Sequence, residues 1–270
     1  MKWLKRIGWS ILVIYLVACV VLYFIQEKLL MLPEQLPNTH KFRAGEEANI
    51  EVAKDIKLNC LWFRAKDAKG IVLFWHGNRG SNEWCTRQAQ TMTGNQYDVI
   101  MPDYRGYGKS DGQIYSERQI YDDAQKVYDY IRSYYAEEDI IVVGYSLGSG
   151  IASYLAAHNK PQQLVLLAPF QSLTNVKSRK IPIIPNFIMK YDLSNETWLK
   201  SVTCPVTIFH GTGDTLIPYD SSEKLKAINP ENIRLVTLDG ASHRRTIFDQ
   251  LFRSTFSELA NASLEEQSER

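Results

Sequence analysis

The sequence predicts an α/β architecture: a doubly wound, mostly parallel sheet with a transmembrane helix at its N-terminus and a short cap late in the chain. Two observations predict the sheet. Short β-branched apolar runs alternate with longer amphipathic stretches, as in strand–helix–strand units, and several runs are apolar at every position, as strands buried on both faces must be. A third, the charge-free segment Ile7–Ile25 near the start of the 270-residue chain, predicts the membrane helix.

As a helix that segment spans about 28 Å at ~1.5 Å per residue, close to the ~30 Å of a bilayer core. Trp3 and Trp9 lie near one end and Tyr23 near the other, where amphipathic rings favour the interface. A cleaved signal peptide is the competing reading, and Leu16-Val17-Ala18-Cys19 resembles a lipoprotein-processing site. The apolar run nevertheless continues through Ile25, where a cleaved signal would already have turned polar, which favours an uncleaved anchor. Lys2, Lys5 and Arg6 ahead of it point to a cytoplasmic N-terminus and a folded domain on the non-cytoplasmic side; Lys28, Lys41 and Arg43 weaken that bias. The expected organisation is an anchor over 1–28, a juxtamembrane linker over 29–48 punctuated by Pro33 and Pro37, a catalytic domain over 49–260 and a fraying polar tail over 261–270.

Within the domain, strands are expected at Leu58–Phe63, Ile71–Trp75, Val99–Met101, Ile140–Val143, Leu164–Leu167, Val206–Phe209 and Leu235–Leu238, with antiparallel pairing near Ile50–Val52 and Leu58–Phe63. Helices are expected at Glu83–Thr93, Ser116–Tyr135, Gly148–His158, Ser221–Ile228 and Thr246–Leu259. In the second of these, Ile120, Ala124, Val127 and Ile131 recur at helical spacing to form one apolar face. Residues 171–202, with Ile181-Pro182-Ile183-Ile184-Pro185, fit neither a strand nor a clean helix. They read as a small cap over the end of the sheet, or as a surface loop packing its prolines locally.

A net charge of +1 with dispersed charges argues against a nucleic-acid surface, since neutralising phosphates takes a concentrated basic field. The one basic cluster, Lys177-Ser178-Arg179-Lys180, reads as a solvated loop. Cys19, Cys60, Cys85 and Cys204 are scattered without metal or disulfide spacing and read as free, buried thiols.

Gly144-Tyr145-Ser146-Leu147-Gly148 directly follows the apolar run at Ile140–Val143 and leads into a helical stretch. Small residues on both sides permit a sharp turn that projects the serine hydroxyl, and the following helix aims its first amides at the same place. A serine needs a base oriented by an acid to act as a nucleophile. Among the five histidines, His243 stands on the loop after the last expected strand, where catalytic groups gather in such sheets. His210 closes a strand and reads as a packed histidine. Asp214 follows the preceding strand; Asp239 lies too close to His243 in sequence, and Asp192 falls in the cap. The loop after Ile71–Trp75 offers the Asn78 amide, which pairs with that of Leu147 as an oxyanion donor.

The ordered set His76-Gly77-Asn78, Asp103-Tyr104-Arg105-Gly106-Tyr107-Gly108-Lys109-Ser110, Gly144–Gly148, Gly211-Thr212-Gly213-Asp214 and Ser242-His243 resembles the α/β-hydrolase superfamily. More narrowly, it is similar to the single-pass, membrane-anchored esterases and depalmitoylase-like thioesterases. The resemblance implies the α/β-hydrolase fold, Ser146 as nucleophile, Asp214 as acid, His243 as base, and backbone donors at Asn78 and Leu147. It implies a structural turn for Asp103–Ser110. Arg79, where relatives often carry a small residue, and Tyr145 are candidate substrate contacts. The expected activity is cleavage of an ester or thioester, of a lipid or an acylated protein, with no metal or organic cofactor. A membrane-associated peptidase and a non-catalytic tethered binding protein are the alternatives. Because every candidate group lies at or beyond Asn78, the anchor is expected to be dispensable for chemistry on soluble esters.

Overall fold

A computed structural model describes residues 2–93 and 96–268. A long helix, α1 (Lys2–Leu30), is followed by the short strand β1 (Leu32–Pro33) and the antiparallel pair β2 (Glu46–Ala53) and β3 (Ile56–Phe63). Next come β4 (Gly70–Trp75), the short β5 (Arg79–Gly80), α2 (Asn82–Ala89), β6 (Tyr97–Pro102) and α3 (Glu117–Ile131). The chain then alternates β7 (Ile140–Tyr145), α4 (Leu147–His158), β8 (Gln163–Leu167), two cap helices α5 (Leu173–Lys180) and α6 (Asn195–Trp198), β9 (Val206–Gly211), α7 (Asp220–Lys226), β10 (Ile233–Leu238) and α8 (Gln250–Ser268). The sheet order is β10-β9-β8-β7-β4-β6-β3-β2, parallel from β10 to β6 and antiparallel beyond.

Period-two alternation divides the core. In β4, Ile71, Leu73 and Trp75 face a cluster built with α3, α4 and α7, whereas Val72 and Phe74 face one built with α2 and α8. A strand covered by helices on both faces has no polar side to present, so every residue of β4, β6 and β8 is buried. All four cysteines are free and buried, as expected. The chain winds from β4 outward to β6 and then back across to β7, so the loops after β4 and β7 diverge at the carboxyl edge of the sheet. That switch point is where crevices open in doubly wound sheets.

The elements differ from expectation at their ends for local reasons. The helix expected from Thr246 begins at Gln250, because His243–Phe248 forms a 3₁₀ turn and the Asp249 carboxylate accepts the Leu251 amide at 2.9 Å. Its bounds are Gln250–Ser268, so it reaches into the segment expected as a polar tail. The segment 171–202 contains two short helices, α5 and α6, that the sequence did not reveal. The Ser172 side chain accepts the Asn175 amide to start α5, and the proline-rich stretch after it is irregular apart from one 3₁₀ turn at Asn186–Ile188. The helix expected as an anchor reaches Leu30, and the expected linker carries β1, which pairs in parallel with β5 through Leu32–Arg79 and Pro33–Gly80.

Candidate active site

Ser146 sits between β7 and α4 at φ 51°, ψ −116°, a left-handed conformation that a non-glycine residue adopts at a cost. Its amide is tied to the Leu167 carbonyl at 2.9 Å. The flanking glycines make the turn possible: a Cβ on Gly148 would fall 2.1 Å from the Trp75 carbonyl oxygen, and one on Gly144 2.5 Å from that of Gly148. From this elbow the Ser146 Oγ lies 2.9 Å from His243 Nε2. His243 Nδ1 lies 2.6 Å from Asp214 Oδ2, 29 residues earlier in the chain. A hydroxyl bonded to an imidazole that is bonded in turn to a carboxylate is the arrangement that activates a serine.

The loop after β9 shapes Asp214 as an acceptor. Its Oδ1 receives the Leu216 and Ile217 amides, each at 2.9 Å, which leaves Oδ2 for histidine. His210 also reaches Oδ2, from 3.2 Å, while its Nε2 lies 2.9 Å from the Ile217 carbonyl and its Nδ1 2.6 Å from Ser222 Oγ. Burial alone would raise the Asp214 carboxyl; hydrogen bonds from His210 and His243, the His243 charge and the Ile217 amide outweigh it and hold the group well below the usual carboxylate range. Asp239 is exposed and accepts from Thr212 Oγ1, and Asp192 accepts the Thr174 amide at the start of α5; neither approaches His243.

Asn78 and Leu147 line one cavity together with Ser146. The Asn78 loop is held from several sides. Its carbonyl accepts the Leu32 amide and the Tyr107 hydroxyl, both at 2.9 Å, and its side chain donates to the Leu30 carbonyl at 2.8 Å. The neighbouring His76 carbonyl accepts the Tyr104 hydroxyl at 2.5 Å. The Asp103–Ser110 segment is a turn, closed by Ser110 Oγ on the Asp103 carbonyl and by the Asp103 carboxylate on the Asn82 amide that starts α2. The two candidate substrate contacts lie elsewhere. Arg79 is exposed on β5, and Tyr145 packs against the His243 ring and donates to the His243 carbonyl at 3.2 Å; neither lines the cavity.

The cavity has a volume of about 390 Å³, within the range of small-molecule sites, and its walls are mostly aliphatic. They come from three places: the sheet edge, the cap through residues such as Leu173, Ile184 and Ile188, and α1 through Leu22, Gln26, Leu29 and Leu30. The contribution of α1 goes beyond what the expected anchor over 1–28 would make. Gln26 is buried, donates to the Ile188 carbonyl at 2.7 Å and accepts the Lys190 amide at 2.9 Å, and Glu27 accepts from Lys190 Nζ and the Tyr191 hydroxyl. The sequence signal was the Gln26-Glu27 pair directly after an apolar run, which reads equally well as the end of a membrane span.

Residues 66–196 match the family described as serine aminopeptidase, S33. An uncharacterized protein of Mycobacterium tuberculosis, Rv2307c, is 30% identical over 243 residues and is covered, like this chain, over 86% of its length. The Pyrococcus furiosus esterase Pf2001 superposes with a TM-score of 0.68 at 20% identity, over 86% of this chain and 99% of that one. The chain belongs to the α/β-hydrolase superfamily. Within it, the lysophosphatidylserine lipase ABHD12 of Macaca fascicularis is 27% identical over 191 residues, 62% of this chain and 48% of that protein, so the hydrolase spans about half the length of that relative. These likenesses are to hydrolases, esterases and lipases.

Proposed function

We propose that the protein is a membrane-anchored serine esterase or thioesterase that works through an acyl-Ser146 intermediate. The observation that carries this is the relay Ser146–His243–Asp214, at 2.9 and 2.6 Å, opening onto an apolar cavity. Ser146 Oγ attacks the acyl carbonyl while His243 Nε2 takes its proton, and Asp214 fixes the imidazole and stabilises the imidazolium. The amides of Asn78 and Leu147 hold the tetrahedral oxyanion. His243 returns the proton to the leaving alcohol or thiol, and water, activated by the same base, releases the acid. An aliphatic cavity of this size suits one acyl chain, and the likeness to a lysophosphatidylserine lipase supports a lipid ester as substrate.

A peptidase reading draws on the description of the matched family. An aminopeptidase must hold a substrate ammonium, yet no carboxylate lines the cavity among the described residues, so the ester reading is favoured. The anchor is assigned to α1, whose apolar stretch is of bilayer length and almost wholly exposed, and the catalytic domain to the non-cytoplasmic side by the basic residues that precede it. A serine-reactive phosphonate tests the chemistry: it is expected to label the wild type at Ser146 and not Ser146→Ala. Equal labelling of the two proteins would overturn the assignment.

A further inference from the structure

The cap loop and the anchor helix run side by side. Lys190 and Ile188 meet Gln26, Ile184 and Ile188 pack on Cys19 beside Leu22, and the Tyr15 hydroxyl donates to the Ile183 carbonyl at 2.8 Å. The loop therefore follows α1 from the polar Gln26 back to Tyr15. At ~1.5 Å per residue, Ile25 to Tyr15 is about 15 Å of helix, roughly half of a ~30 Å hydrocarbon core. Tyr15 stands near the middle of the charge-free run, so a loop bonded to it cannot remain in water once α1 spans a membrane.

The loop's composition fits that depth. Ile183 is 72% and Phe187 87% exposed, and neither contributes to the cavity wall. Two such side chains on one short loop, beside the exposed apolar surface of α1, have no covering partner among the described residues. At the level of Gln26 the surroundings change: the Lys190 ammonium lies 3.0 Å from Glu27 and 4.6 Å from the Tyr23 ring centre, the charged-and-aromatic pattern of a headgroup boundary. The cavity crosses this boundary, because Leu22 and Ile184 line it together with Ser146.

We propose that the loop Ile181–Met189 is immersed in the bilayer leaflet that meets the catalytic domain, and that the acyl chain of a membrane-resident ester enters the Ser146 cavity sideways, between α1 and this loop. The proposal rests on reading α1 as a membrane span and Ser146 as the nucleophile. It makes the hydrocarbon of the leaflet the partner of the exposed loop and a lipid already in that leaflet the substrate.

The full chain is reconstituted in phosphatidylcholine vesicles with a nitroxide on Phe187→Cys, on Val13→Cys in α1 and on Tyr115→Cys on the far domain surface, the unsubstituted chain serving as background. The label at 187 is expected to collide with oxygen and be shielded from a water-soluble nickel chelate, as at 13 and opposite to 115. A label at 187 that behaves like the one at 115 would overturn immersion. Sideways entry is tested with Phe187→Asp and, as a second variant, Ile183→Ser. Hydrolysis of a long-chain ester dissolved in the vesicles is expected to fall roughly tenfold or more, with turnover of a short soluble ester unchanged. Loss on neither substrate, or equal loss on both from a folded protein, would overturn it. Because the depth measurement needs no turnover, a Ser146 that escapes phosphonate labelling while 187 stays shielded would fault the catalytic reading and leave the immersion standing.

Discussion

Asp214 is more heavily bonded than orienting one imidazole requires, since it receives two amides, His243 and also His210. The Ile217 carbonyl can only accept, so His210 Nε2 carries a proton and can share it with Asp214 Oδ2. Removing that donor by His210→Phe should cost about 1.5–3 kcal/mol, the worth of a hydrogen bond to a charged group, and lower kcat while leaving Ser146 reactive to phosphonate; denaturant titration and steady-state kinetics check both. Asp214→Asn should cut kcat by up to ~10⁴ by favouring the wrong imidazole tautomer, whereas Asp239→Asn, at an exposed carboxylate, should leave it nearly unchanged. The depressed Asp214 carboxyl also predicts a pH signature. A group titrating below its unfolded value of about 3.9 contributes its full stability above that value and loses it as the pH falls towards the folded one. The stability gap between wild type and Asp214→Asn should thus be constant above about pH 5 and narrow below about pH 4, as measured by unfolding at a series of pH values. Ser146, Asp214 and His243 were legible in the sequence because each follows an apolar strand and lands at the same edge of the sheet. His210 was not: the spacing that brings it to Asp214 is set by how the Gly211–Asp214 turn curls, which no periodicity encodes.

At the scale of elements, the tightest constraint is the crossing of β7, α4 and the end of β4. A methyl group on Gly148 would enter the Trp75 backbone, which cannot move without shifting the central strand. Gly148→Ala is expected to fold poorly, with a loss beyond the ~4–5 kcal/mol that marks exceptional substitutions, seen as a large fall in Tm. Gln26 is the other constraint. Its replacement by Ala strands the Ile188 carbonyl and the Lys190 amide, about 1–3 kcal/mol for each unsatisfied buried group. Hydrogen exchange should quicken over residues 184–191, and long-chain ester hydrolysis should fall more than phosphonate labelling. The strands were readable because burial on both faces leaves an unmistakable apolar run. The place of the cap was readable too, but its helix α5 and β1 were not, since a short helix capped by Ser172 and a two-residue strand paired with β5 carry little local signal.

For the whole molecule, α1, the proposed membrane segment, is a wall of the cavity at Ser146 and more than a tether. Deleting residues 1–28 removes Leu22 and Gln26 from the cavity and unpins the cap. The truncated protein, once expected to match the full chain on soluble esters, should instead be slower even there, and slower still on long acyl chains; kcat/KM for both constructs across a chain-length series checks this. Full-length protein should stay with carbonate-washed membranes. The same arrangement bears on how the protein comes to life in the cell. Gln26 finds Ile188 across 162 residues, and Ser146 finds His243 across 97. During synthesis the residues of α1 that wall the cavity are made well before His243, the base proposed for Ser146. A nascent chain that ends short of His243 can therefore fold most of its sheet while Ser146 still lacks its proposed base. The proposed chemistry has to wait until two segments far apart in sequence have met at Ser146.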